Sequence, residues 1–231
     1  MKNLKINIGV LALSGALLFN SCASTSNQTK GAGIGVGAGA ILGAIIGNQI
    51  GDGNSELGAV IGAAVGGVAG AAIGKKMDKQ AQQIENEIPG AKVEKINNGE
   101  GIQVTFDGEN KGVTFATAKY NIDAASQETL DKFIKILNMY PDTNIQVQGH
   151  TDDVGQDADN MLLSQRRAQA VSNYFTAHGI AASRITTKWF GESQPKVAND
   201  SKENQAINRR VEIYITPNEK MIQDAKKEAG Q

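Results

Sequence analysis

Apolar and polar residues alternate in three different ways along this chain of 231 residues. Residues 6–19 form one continuous apolar run, and residues 31–74 consist mostly of Gly, Ala, Ile and Val. Beyond residue 90 the apolar positions recur every second residue, or every third and fourth. Because these two periods are those of half-buried strands and amphipathic helices, a globular domain is predicted only in the last part of the chain.

The periodic part predicts strands and helices in the order β-α-β-α-β-β. Two strands in AKVEKINNGEGIQVTF meet at Asn98-Gly99, and a helix capped by Asp123 follows them. A second helix runs from about Ala158 to His178. The other predicted strands are TNIQVQG, residues 185–191 and residues 209–215. This order predicts an α/β fold, an α+β sandwich with helices packed on a mixed sheet, over residues 92–216.

The first apolar run is typical of an export signal. Lys2 and Lys5 precede it, and the run itself is too short to be a comfortable membrane span. The stretch FNSC ends at Cys22, which is the only cysteine and therefore cannot form an intramolecular disulfide. FNSC resembles the lipobox of bacterial lipoproteins, which implies that residues 1–21 are removed and that Cys22 carries lipid. The alternative is an ordinary secretory signal with an incidental cysteine.

Glycines recur every fourth residue in two series, which are Gly31, Gly35, Gly39, Gly43, Gly47 and Gly51, then Gly58, Gly62, Gly66, Gly70 and Gly74. Such spacing leaves a smooth groove along one helix face, so another backbone can approach closely. The pattern predicts a helical glycine-zipper hairpin over residues 31–74, turned at GDGNSE and inserted in or packed against a membrane. A flexible linker is the alternative, because so Ala-rich a segment has little hydrophobic drive for insertion.

Three shorter segments complete the predicted organisation. Residues 22–30 are small and polar, as expected of a lipidated tether. Residues 75–91 are interpreted as a linker helix that ends at Pro89-Gly90, and residues 217–231 as a polar tail without an assigned role.

Composition and motifs argue against several functions. The formal net charge is −1, so nothing favours nucleic acid as a partner. The glycine series lack the preceding strand of a dinucleotide or phosphate loop, and no cofactor is expected. The acidic residues after His150 lack the spacing of a calcium loop, so no metal site is predicted. With two histidines and no nucleophile–base pair, the protein is not expected to be an enzyme.

One charged residue stands out in the second domain helix. Arg167 lies in the middle of its apolar stripe, where a guanidinium needs an acceptor to replace lost hydration. Asp152 follows the end of a strand, and Asn160 lies two turns before Arg167 on the same helix face. Together they suit a ligand that carries both an ammonium and a carboxylate. An internal ion pair between Asp152 and Arg167 is the other interpretation.

The stretch GHTDDVGQDADNMLLSQRRAQAVSNYFTAHGIAASRITTKWFGESQP, followed by NRRVEI, resembles the OmpA C-terminal-like, peptidoglycan-associated domain. With the zipper and the lipoprotein start, the likeness extends to YiaD-like outer-membrane lipoproteins. It implies non-covalent binding of the peptidoglycan stem peptide. Asp152 would accept the ammonium of its diamino acid, and Arg167 would clasp the carboxylate. The resemblance also carries over Asn160, Thr151 and the loop around Ala118 as weaker contacts.

Arg209 shares the inward register of the last predicted strand. It is interpreted as mainly structural, with ligand contact as the alternative.

The favoured hypothesis is a tether in which lipidated Cys22 holds the outer membrane while the globular domain faces the periplasm and grips the cell wall. The alternative is an oligomeric membrane assembly or pore, driven by the zipper and localised by the wall-binding domain. Zipper grooves permit a homo-oligomer but do not identify the partner helix.

Overall fold

The computed structural model describes residues 65, 67–106 and 112–230. The predicted signal peptide, Cys22, the tether and the first arm and turn of the hairpin lie outside these residues. The helices are α1 Gly67–Glu87, α2 Ala124–Met139, α3 Asp157–Ala177, α4 Lys202–Asn208 and α5 Glu219–Glu228. The strands are β1 Ala91–Ile96, β2 Gly101–Phe106, β3 Thr143–Gly149, β4 Ile185–Trp189 and β5 Val211–Pro217.

The strands form one mixed sheet in the order β1-β2-β5-β3-β4. β3 and β4 are parallel, and the other neighbouring pairs are antiparallel. Val104, Ile213 and Val147 lie opposite one another across the central three strands, and all three are fully buried. The predicted α/β fold with helices on a mixed sheet is therefore confirmed.

Aromatic contacts join the sheet to two helices. The ring of Phe106 in β2 lies 6.5 Å from that of Phe133 in α2, which lies 6.1 Å from Phe175 in α3. As predicted, Asp123 caps α2, and its carboxylate accepts a hydrogen bond of 2.7 Å from the backbone N–H of Ser126. This packing fixes α3 over the sheet.

Helix α1 is one continuous element that runs through the boundary predicted between residues 74 and 75. Ile73, Met77 and Ile84 on its buried face are at most 1% exposed, and they belong to the same hydrophobic core as the sheet. Residues predicted as the zipper end and as the linker thus share one helix packed on the domain. Within the described ranges, no helix combines the length and apolarity needed to cross a bilayer.

The predicted polar tail contains a packed helix, α5. The side chain of Asn218 caps it by accepting a hydrogen bond of 3.0 Å from the N–H of Met221. Met221 and Ala225 are buried in the core, and Glu228 lies 3.5 Å from Lys76 of α1. The core therefore extends beyond residues 92–216 at both ends.

Candidate functional site: a buried arginine–aspartate cluster

Two glycines let α3 lie directly on the end of β3. A Cβ atom at Gly149 would overlap the carbonyl oxygen of Ser164, so the helix backbone touches the strand. Gly191, with φ +54°, is also close to the helix, since an added Cβ atom would lie 3.1 Å from the backbone nitrogen of Met161, and its N–H donates to Ser164 Oγ at 2.9 Å. This close approach brings the buried face of α3 to the carboxyl end of β3.

Arg167 occupies that face and is fully buried. Its Nε donates to the carbonyl of Lys119 at 3.0 Å, Nη1 to that of His150 at 3.0 Å and Nη2 to that of Ala116 at 3.4 Å. The guanidinium also lies 5.2 Å from the ring centre of Phe115. The acceptors that replace its hydration are therefore backbone carbonyls.

Asp152 pairs with Arg209 instead of Arg167. Arg209 Nη1 lies 2.7 Å from Asp152 Oδ2, and the side chains are 18% and 7% exposed. The alternative prediction of an internal Asp152–Arg167 ion pair is therefore wrong. Asp152 is paired with Arg209, and Arg167 donates to three backbone carbonyls. The predicted strand register of Arg209 is wrong, because Arg209 caps the end of α4 and β5 begins only at Val211, and Arg209 is the ionic partner of Asp152.

The three charged groups nevertheless form one electrostatic cluster. Burial, the largest effect, lowers the pKa of Arg167 to about 10, while nearby Asp152 raises it and Arg209 lowers it. Arg167 thus stays protonated at neutral pH. Two guanidinium groups and one carboxylate leave a positive excess in a poorly hydrated place.

The weaker predicted contacts occupy the margin of this cluster. Asn160 is buried and donates to Glu192 Oε2 at 2.6 Å and to the carbonyl of Val154 at 3.3 Å, so its amide holds two loops together. Thr151 Oγ1 is buried without a hydrogen-bond partner among the described residues. Ala118 is exposed and has φ +54°, in the turn whose carbonyls bind Arg167.

A second polar network, which the sequence analysis missed, lies behind the cluster. Arg210 Nε pairs with Glu212 Oε1 at 2.7 Å, and Glu212 Oε2 accepts from Tyr214 at 2.8 Å and from Gln103 at 2.9 Å. Burial alone would raise the pKa of Glu212. Arg210 and the hydrogen bonds lower this pKa by more than burial raises it, so the net shift is downward. The spacing of Arg210, Glu212 and Tyr214 is the period of a strand face and was the available signal.

His150 connects this network to the cluster. Its ring stacks on Phe190 with centres 5.4 Å apart, and its carbonyl is one of the acceptors of Arg167. Burial, with Arg210 nearby, lowers the pKa of His150 to about 3. The imidazole is therefore neutral at physiological pH and supports the site without adding charge.

The part of the chain that contains the cluster of Asp152, Arg167 and Arg209 matches a known protein family. Residues 114–209 match the model of the OmpA family, and residues 1–78 match the YMGG-like Gly-zipper model. The resemblance to OmpA-like domains and the glycine-zipper pattern inferred from sequence are confirmed.

Named relatives agree with this assignment. Over 137 residues the chain is 36% identical to "Probable lipoprotein YiaD" of Escherichia coli, covering 57% of this chain and 63% of that protein. Over 98 residues it is 38% identical to the peptidoglycan-associated lipoprotein of Pasteurella multocida, covering 42% and 65%. Each match thus spans less than two thirds of the relative. A MotB-like protein from Desulfovibrio vulgaris has a similar structure, with 27% identity, a TM-score of 0.53 and coverage of 64% and 91%.

Proposed function

We propose that this protein is an outer-membrane lipoprotein that binds peptidoglycan non-covalently and tethers the membrane to the cell wall. The OmpA-family domain and the relatives named as lipoproteins and as peptidoglycan-associated support this proposal. In it, Cys22 carries the lipid anchor and the domain faces the periplasm. The protein acts by binding and not by catalysis, and weak sites on many copies act together through avidity.

The observation that carries the proposal is the positive excess at the cluster of Asp152, Arg167 and Arg209. Arg167 is fully buried, yet the acceptors of its hydrogen bonds are uncharged carbonyls, and Asp152 is already paired with Arg209. Two donors at the cluster are buried without a hydrogen bond among the described residues. They are Thr151 Oγ1, on the residue before Asp152, and Nε of Arg209, the ionic partner of Asp152. A ligand carboxylate would compensate this charge and would accept from the free donors.

The ligand that fits best is a zwitterionic amino-acid group, as in the diamino acid of the stem peptide. A guanidinium has five N–H donors, and Arg167 uses three in the contacts above, which leaves two for a carboxylate. Among the described residues, Asp152 Oδ1 accepts only a long contact of 3.4 Å, from the N–H of Val154. That oxygen is available to an ammonium group.

Access to Arg167 leads past the loop of residues 116–120. All five of these residues are exposed, whereas Arg167 beneath them is not. Because the carbonyls of Ala116 and Lys119 bind the guanidinium, a carboxylate that enters from this side must displace or share them. We infer that this loop adjusts when the ligand binds.

Pelleting with purified peptidoglycan sacculi tests the proposal, using the full chain in detergent. Wild type should pellet, and Asp152→Asn and Arg167→Ala should lose at least tenfold in affinity. Asp153→Asn and Arg166→Ala are matched controls, because both residues are exposed neighbours, and they should pellet like wild type. Circular dichroism separates lost binding from lost folding.

Competition with soluble muropeptides tests the stem-peptide contact without any variant. A muropeptide whose diamino acid keeps its free amine and carboxylate should release the protein from sacculi. The same muropeptide acetylated on that amine should not. Equal release by both muropeptides would show that the cluster does not bind the diamino acid. Pelleting of all variants like wild type would show the same.

A further inference from the structure

The last glycines of the zipper pattern are covered by the turn between β1 and β2. A Cβ atom at Gly70 of α1 would overlap Oε1 of Glu100, and one at Gly74 would lie 3.7 Å from the carbonyl oxygen of Gly99. These glycines end the second four-residue series. Their face of α1 therefore contacts the domain and is not open to another helix.

Buried polar groups without partners occur at this contact and farther along the buried face of α1. Glu100 is 8% exposed, and its Oε2 has no hydrogen bond among the described residues. Gln80, in the middle of the buried face of α1, is fully buried, and neither of its amide atoms has a partner there. Because each such group has lost its hydration without compensation, the contact is held against an opposing free energy.

The protonation state of Glu100 determines how large this opposing free energy is. Burial raises the pKa of Glu100 from 4.5 to about 7, and no neighbouring charge contributes to the shift. Among the described residues, charged side chains on α1 and β1 near this contact are Lys75, Lys76, Asp78, Glu94 and Lys95. Of these, Asp78 pairs with Lys95 at 2.7 Å and Lys76 with Glu228 at 3.5 Å, and β2 has no charged residue.

We propose that Glu100 and the Gly70–Gly74 face of α1 form a latch, which holds the end of the zipper on the domain while Glu100 is protonated and releases it when Glu100 ionises. The closed latch covers the glycine face. The open latch exposes Gly70 and Gly74 to a second zipper helix, since a helix backbone can approach closely only where this face is free. The latch is thus an autoinhibitory contact on zipper association.

The direction of the pH effect follows from the two protonation states. In the released state the Glu100 carboxyl is hydrated and ionises near pH 4.5, whereas in the closed latch it keeps its proton to about pH 7. Raising the pH through this window therefore favours release. Above the window both states are ionised, and the effect is complete.

Backbone amide hydrogen exchange of the full chain in detergent tests the latch at pH 5.5 and 8.5, with each rate divided by the intrinsic rate at that pH. In wild type, protection of the α1 amides should fall at least tenfold between pH 5.5 and 8.5. Protection of α2 should change less than twofold. Protection of α1 that is the same at both pH values would overturn the proposal, and this comparison needs no variant.

Two variants identify the responsible carboxyl. Glu100→Gln keeps the shape and cannot ionise, so α1 should stay protected at pH 8.5. Glu94→Gln is the matched control, because Glu94 is exposed on the adjacent strand, and it should behave like wild type. A fall in protection that persists in Glu100→Gln would also overturn the latch.

Discussion

Two of the described regions that contain unpartnered buried polar atoms, the cluster and the latch, differ in how they hold charge. Around Asp152, Arg167 and Arg209 every charged group has an ionic or carbonyl partner, so the site stays charged while buried. At the latch, Glu100 has only burial around it, which favours its neutral form. The cluster therefore keeps its charges for a ligand, whereas the charge of the latch depends on the pH of the solution.

The two regions also respond to pH in opposite directions. His150, behind the cluster, has a pKa lowered to about 3, whereas Glu100 has a pKa raised to about 7. Acid therefore weakens the first region, because unfolding lets His150 take up a proton, and alkali weakens the second. Five changes test this contrast, beginning with the largest expected effect.

Arg167→Ala should cause the largest loss of stability. It removes a buried cation with its three hydrogen bonds and leaves a cavity. Because the cost of burying that cation disappears as well, the free energy of unfolding should fall by about 3–5 kcal/mol, less than the three bonds and the cavity would give by addition. Urea unfolding measures this value. Arg166→Ala, at an exposed neighbour that lies 5.4 Å from the ring centre of Tyr120, should change it by less than about 1 kcal/mol. Similar losses in both variants would contradict the central place given to Arg167.

Gly149→Ala should come next, at about 2–3 kcal/mol, because the new Cβ meets backbone of α3 that cannot move by itself. Thermal or urea unfolding gives the loss, and sacculus pelleting should weaken in parallel as α3 shifts. Gly179→Ala is an informative comparison. Gly179 has φ +95° but no atom within 4 Å of an added Cβ, so only its backbone strain, about 1 kcal/mol, should appear. An unchanged Gly149→Ala protein would mean that α3 does not rest on β3.

His150 should make the protein sensitive to acid. Because its pKa falls from 6.5 to about 3 on folding, stability is fully present above pH 6.5 and is lost as the pH falls, by about 2 kcal/mol at pH 5. Urea unfolding at pH 7.5 and 5 measures the loss. The loss should be smaller in His150→Gln and should persist in His178→Gln, at an exposed histidine. The same acid loss in both variants would assign it to other groups.

Gln80→Met should stabilise the protein, by about 1–2 kcal/mol, because it replaces two unpartnered polar atoms with apolar ones of similar volume. Gln82→Met, at an exposed position of the same helix, should leave the unfolding midpoint almost unchanged. A destabilised Gln80→Met protein would indicate that the amide has a role that the described contacts do not include. The gain should also slow exchange of the α1 amides.

The sequence predicted the sheet and helices α2 and α3 well, because local periodicity determines them, but it did not predict α4 or the packed α5. It also predicted that Arg167 is buried, from its place on the apolar stripe of α3. It could not supply the acceptors, because the carbonyls of Ala116 and Lys119 belong to a loop 48 to 51 residues away, and any residue type carries a carbonyl. The Asp152–Arg209 pair likewise joins residues 57 apart.

The packing of α1 was missed for a different reason. Gly and Ala dominate the first half of α1, so few large apolar residues mark its buried face, among them Ile73, Met77 and Ile84. A segment with so few large apolar residues resembles a linker. Its burial depends on α5 and on the turn at Glu100, which no local pattern within α1 reveals.

The smallest effect should come from Gly70→Ala, and it compares the two regions most directly. At Gly149 the added Cβ meets backbone, but at Gly70 it meets the end of the Glu100 side chain. Against that overlap, alanine favours the helix by about 1 kcal/mol over glycine. We therefore expect the single variant to change stability by less than about 1 kcal/mol.

Combining Gly70→Ala with Glu100→Ala separates these two terms. With the carboxylate removed, its overlap disappears, and the helix preference remains together with a tight 3.3 Å contact to the carbonyl oxygen of Val65, so Gly70→Ala should now stabilise the protein by up to about 1 kcal/mol. A double-mutant cycle from urea unfolding measures the coupling between the two residues. Zero coupling would mean that Glu100 does not lie against Gly70, and the contrast between a rigid glycine contact at α3 and an adjustable one at α1 would be lost.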